Sequence, residues 1–181
     1  MRIEKIHHVA YRCKDAKATA DWYREKLGME LLFAFSEEQV PSTKEAHPYM
    51  HVFLDAGSGN VLAFFELPES PPMGFDPNTP GWVQHLALQV PDMATLLDAR
   101  QRLESQGVAV IGPTDHGVVQ SIYFFDPNGH RLELAVPSGS PEMVEALRAV
   151  SAGMLEEWSR TRRPPRQAAW VHQAEFAKTA P

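Results

Sequence analysis

A single cysteine, Cys13, occurs in 181 residues. No disulfide can close within the chain, so a stapled secreted fold is excluded and a reducing compartment is expected. An excess of positive charge is also missing: 17 Lys and Arg stand against 23 Asp and Glu, a net charge of -6. That leaves no global basic footprint for nucleic acid. Long hydrophobic runs are absent too. Stretches such as Val61–Phe65 are strand-sized, far short of the ~20 residues that cross a bilayer. The opening Met1-Arg2-Ile3-Glu4-Lys5 has no apolar signal core, so a cytoplasmic protein without a membrane partner is expected. Fifteen prolines and eleven glycines follow no period, which excludes collagen-like and low-complexity chains. What is there, 44% hydrophobic and 22% charged side chains, suffices for one globular domain or two small modules sharing a core. Eight histidines against the one cysteine predict that any metal is held by imidazole and carboxylate, not thiolate.

Two segments repeat. Ile6–Asp15 and Val83–Asp92 align with His8 on His85, Ala10 on Ala87 and Asp15 on Asp92. Each reads as a strand ending at an Asp that caps a helix by accepting the free N–H groups of its first turn. The helices are expected over Ala16 to Leu27, stopped by Gly28, and Met93 to Gln106, stopped by Gly107, since Gly suits the left-handed position past a helix end. Trp22, Tyr23 and Leu27 can share one face of the first helix; Leu96, Ala99 and Leu103 can share one of the second. Three strands are expected after each helix: Met29–Phe35, Met50–Leu54 and Val61–Leu67, then Val108–Ile111, Val118–Phe125 and His130–Val136. The turns are 55–60 and Asp126-Pro127-Asn128-Gly129. The order βαβββ thus occurs twice, as an internal duplication, in residues 1–67 and 81–137. The five prolines in residues 68–80 make a linker. Residues 138–181 hold a helix capped by Ser140-Pro141, with Val144, Leu147, Ser151, Leu155 and Trp158 on one face, and a basic tail from Arg160 to Arg166.

The duplication gives each module a His on its first strand and a Glu on its last: His8 with Glu66, and His85 with Glu133. If first and last strands are neighbours, one parity puts each pair on a common face. Two His and two Glu would take one divalent metal, Zn, Ni, Fe or Mn, and leave a position open for chemistry.

The segments Ile6-His7-His8-Val9-Ala10, Trp22-Tyr23-x3-Leu27-Gly28-Met29, His85–Val90 and Tyr123–Leu134 resemble the vicinal oxygen chelate superfamily of glyoxalases, bleomycin resistance proteins and extradiol dioxygenases. The resemblance implies an α+β fold, with both modules forming a cupped mixed sheet, and a homodimer acting on a small molecule. Glyoxalase I is similar in its His, Glu, His, Glu ligand set, which His8, Glu66, His85 and Glu133 match. There Arg12 would bind substrate, and Glu66 or Glu133 would take a proton next to a carbonyl while the metal stabilises an enediolate. This glyoxalase-like lyase or isomerase is the first expectation. Type I extradiol dioxygenases are the alternative. They use three ligands, which His8, His85 and Glu133 match, and a signature that His116, Tyr123, Asp126, Pro127, Gly129 and Glu133 follow. Their acid/base histidine would fall near Asn60, leaving His51 on the neighbouring strand to meet the substrate. A metal-free drug-binding resistance protein is the third possibility.

Overall fold

A computed structural model describes residues 1–164. The first βαβββ module runs β1 (Val9–Cys13), α1 (Ala16–Leu27), β2 (Leu31–Gln39), β3 (Ala46–Asp55) and β4 (Val61–Glu66). The second runs β5 (His85–Gln89), α2 (Met93–Ser105), β6 (Ile111–Asp115), β7 (Val119–Phe125) and β8 (Arg131–Pro137), and α3 (Pro141–Thr161) follows. Each module builds a four-stranded sheet, ordered β1-β4-β3-β2 and β5-β8-β7-β6. The class is α+β, with the duplicated order read from the sequence. First and last strands are neighbours in both sheets.

The helices form where the caps direct. The Asp15 carboxylate accepts the Ala18 N–H and Gly28 closes α1 at φ 70°. Asp92 accepts the Thr95 N–H, and Ser140 caps α3 by accepting from Met143 N–H. α2 buries the expected Leu96, Ala99 and Leu103. α1 differs: it buries Ala16, Thr19 and Tyr23, so of the expected stripe only Tyr23 is fully covered. α3 differs more. Only Met143 is buried, and Val144, Leu155 and Trp158 are exposed, because the half-covered stripe is shifted by about one residue along the helix. β6 also departs from expectation, lying over Ile111–Asp115 with Pro113 inside it. An edge strand tolerates the missing donor, and the ladder to β7 is irregular there, between Ile111 and Thr114.

The described chain divides into two compact units, Met1–His85 with Phe125–Leu132, and Leu86–Phe124 with the described residues from Glu133 on. The β7–β8 turn therefore belongs to the first unit. That unit's core rests on Leu54, Leu62, Phe64 and Tyr23; the second's rests on Leu96, Leu103, Ile122 and Phe124. No helix among the described residues is long and apolar enough to cross a membrane. Arg166, His172 and the rest of the basic tail beyond residue 164 lie outside the described residues.

Candidate functional site

Register decides which ligand candidates share a face. β1 and β4 are parallel, with Ala10 opposite Ala63, Arg12 opposite Phe65 and Cys13 opposite Glu66. Side chains alternate along a strand. Ala10 and Arg12 therefore point one way, Cys13 and Glu66 the other. His8 belongs to the first set: its ring centroid is 6.0 Å from that of Phe53, and Phe53 stands opposite Ala63. Glu66 turns to the helix side, where its Oε2 accepts the Ala16 N–H at 2.7 Å. There it caps the positive end of α1 beside Asp15. Burial raises the Cys13 thiol to about 11, with the Glu66 charge adding to the rise. The expected pairing of His8 with Glu66 on one face is not what the register gives.

In the second sheet one bond sets the register. Val90 N–H donates to Ala135 O, a register that sets Glu133 beside Ala87, two residues after His85 and on its face. The repeat is thus out of step on its last strands. Cys13 and Val90 precede their capping Asp residues equally, so Glu66 corresponds to Val136, and the counterpart of Glu133 is Ala63.

Glu133 is 6% exposed, and one carboxylate oxygen accepts the Ser121 hydroxyl. Tyr123, two residues on along β7, shares a 2.8 Å hydrogen bond with His116 Nε2. His85 donates from Nδ1 to Val83 O at 3.0 Å. His8 Nδ1 lies 2.9 Å from His7 Nδ1. Arg12 gives an Nη2–H to Pro71 O at 2.6 Å. Among the described residues, no three His, Cys, Asp or Glu side chains are gathered into one group that could hold a metal.

His51 is buried on β3 among aromatic rings. Phe65 stacks on it with centroids 3.5 Å apart and Phe53 lies at 4.0 Å. Burial, with the nearby His8 charge adding, lowers its pKa to about 4. Between pH 6.5 and 4 the unfolded chain takes up a proton that folded His51 does not. Metal-free protein should therefore lose stability as pH falls through this window and level off below it. Urea midpoints measured against pH should show this slope, and His51→Phe should flatten it; an equal slope in the variant refutes the assignment.

Sequence reasoning took Asp126-Pro127-Asn128-Gly129 as a turn and missed what it does. Asp126 Oδ2 accepts from the Tyr23 hydroxyl at 3.1 Å and from Asn128 Nδ2 at 3.0 Å; Oδ1 accepts from the Asn128 and His130 N–H groups. Asn128 Nδ2 also donates to Thr19 Oγ1, and its Oδ1 accepts the Lys14 N–H. His130 donates from Nε2 to Arg12 O at 2.7 Å. At Gly129 the φ is 97°, and a Cβ would come 3.0 Å from the Phe75 ring. The visible signal was Tyr23, a polar-tipped ring on a helix face that had to be buried.

Known proteins resemble this chain in the same region. The family model described as "Glyoxalase/Bleomycin resistance protein/Dioxygenase superfamily" matches residues 5–134. Biphenyl-2,3-diol 1,2-dioxygenase 3 of Rhodococcus globerulus is 27% identical over 139 residues, 76% of this chain and 66% of that protein. Lactoylglutathione lyase of Pseudomonas aeruginosa is 28% identical over 161 residues, 76% of this chain and 85% of that one. The crystal structure of a glyoxalase family protein from Enterococcus faecalis superposes with a TM-score of 0.54 at 28% identity, covering 75% of this chain and 99% of that one. The chain spans about two thirds or less of the length of the dioxygenases it matches.

Proposed function

We propose, given that this chain belongs to the Glyoxalase/Bleomycin resistance protein/Dioxygenase superfamily, that it is a ring-cleaving dioxygenase of the type I extradiol kind, with His8, His85 and Glu133 as metal ligands. One observation carries the choice over a glyoxalase-like lyase: the β1–β4 register puts Ala63, not Glu66, at the counterpart of Glu133. A four-ligand set does not fit residues arranged so, because the fourth carboxylate caps α1 from the other face. A two-His, one-carboxylate set fits, and it suits Fe or Mn with positions left open.

Bound there, the metal would act as a Lewis acid toward two adjacent substrate oxygens. The chain's own residues do the rest. Ser121 fixes the Glu133 carboxylate by donating to it, which holds the charge in one orientation. The His116–Tyr123 pair can pass a proton between the Tyr123 hydroxyl and His116 Nε2, and so accept one from a substrate hydroxyl. Tyr123 is buried, so that proton is shielded from bulk water.

Protein purified without added metal should carry iron or manganese, and it should consume O2 when a catechol is supplied. His116→Ala should reduce the uptake by about 10²-fold or more, the usual contribution of general acid–base catalysis. Absence of catechol-dependent O2 uptake, with isomerisation of a methylglyoxal–thiol adduct instead, would reverse the ranking in favour of the lyase.

A further inference from the structure

His7 and His8 stand just before β1, and both are exposed. Their Nδ1 atoms lie 2.9 Å apart, with the rings crossed at 80° and their centroids 5.2 Å apart. Two imidazole nitrogens at that distance share one proton: one ring carries the N–H and the other offers its lone pair. The alignment that lays His8 on His85 lays His7 on Gln84 and Ile6 on Val83. In the second module the Nδ1–H of His85 goes to the main chain, to Val83 O. In the first module the neighbour is a side-chain nitrogen instead. Both repeats thus engage the Nδ1 of the first-strand histidine, one through a carbonyl and one through His7.

The direction of the shared proton decides what His8 can do. If His7 donated, His8 would carry its own proton on Nε2, and neither of its nitrogens would be open to a cation. If His8 donates, its Nε2 keeps the lone pair. A cation on that Nε2 selects the second direction, because it makes the Nδ1–H a charge-assisted donor. Bond and metal then reinforce each other. His8 is exposed while Glu133 is buried, so packing does less to hold this ring and the hydrogen bond does more.

We propose that His7 is a positioning residue for the metal centre: its Nδ1 accepts the His8 Nδ1–H and so sets the tautomer and ring orientation in which His8 Nε2 binds the metal. This role rests on the ligand set of the dioxygenase reading and adds to it a residue that acts only through His8.

The test adds Mn(II) to metal-free full-length protein and reads free Mn(II) by electron paramagnetic resonance, so it needs no turnover. His8→Ala should abolish stoichiometric binding. His7→Ala should weaken binding by about 10- to 100-fold, the usual effect of removing such a partner. His7→Asn presents an acceptor oxygen and should recover part of the loss; His7→Phe, a ring without an acceptor, should recover none. Gln84→Ala, at the matching position of the second module, should bind as the unaltered protein does, because Val83 O serves there. Unchanged Mn(II) affinity in His7→Ala overturns the proposal. An equal loss in His7→Ala, His7→Asn and His7→Phe also overturns it, since a purely structural role does not single out an acceptor. A loss in His7→Ala as complete as that in His8→Ala would make His7 a ligand itself and overturn it as well. Unchanged affinity in His8→Ala overturns the ligand set, and this inference with it. The expected affinities without catechol-dependent O2 uptake overturn the dioxygenase reaction alone.

Discussion

Glu133→Ala should emerge from purification without stoichiometric metal and with turnover on a catechol lowered by roughly 10³-fold or more, the effect of losing several kcal/mol of transition-state stabilisation. Glu66→Gln should keep both metal and turnover. The two carboxylates look equivalent in sequence, each inside an apolar last strand, and the contrast follows from where the sheets place them. Glu133 is buried beside Ser121, which donates to it, on the face reached by alternation from His85. A carboxylate on that face is a hard oxygen ligand for a divalent cation. Glu66 already has its counter-charge, the α1 N-terminus, through the 2.7 Å bond from Ala16 N–H. Glutamine can still accept that bond, so the change should cost only about 0.3–1 kcal/mol of helix-dipole stabilisation. Metal content by elemental analysis, with O2 uptake on the same samples, checks the pair. Equal metal loss in Glu66→Gln would restore the four-ligand reading.

How far the sequence reached explains where it stopped. The caps were legible because they are local: Asp15, Asp92, Gly28 and Ser140 act within one helical turn, and the structure puts helix ends where they predict. The stripe Leu96, Ala99 and Leu103 was legible because its spacing is that of one helix face. The pairing of β1 with β4 was not. Phe64-Phe65-Glu66-Leu67 resembles Arg131-Leu132-Glu133-Leu134, but a hydrophobic run carries no mark of its register, and an odd slip moves every side chain to the other face. Here the counterpart of Glu133 is displaced by three residues, to Ala63. His51 was read as near the substrate, but its neighbours Phe35, Phe53 and Phe65 come from three strands, and no spacing within one segment announces them. Likewise the Asp126–Asn128 turn looked sufficient in itself until Thr19 and Tyr23 were seen to meet it from a helix more than a hundred residues earlier.

That turn carries the second large effect. Asp126→Ala should lower stability to urea by about 3–5 kcal/mol, because one buried carboxylate serves four donors and their loss leaves several unsatisfied at once. Tyr23→Phe removes a single donor and should cost about 1–2 kcal/mol. The Tyr23→Phe and Asp126→Asn pair should couple by about 1 kcal/mol or more in a double-mutant cycle, since the hydroxyl and carboxylate are in contact at 3.1 Å. Strict additivity would mean the hydroxyl finds another partner and the latch is not cooperative. The effect should also reach the chemistry. The turn joins β7, which carries Tyr123, to β8, which carries Glu133, so loosening it frees the ends of both strands. In folded Asp126→Asn, kcat on a catechol should fall more than KM rises, because what is lost is the positioning of Tyr123 and Glu133. A change in KM alone would confine the latch to stability.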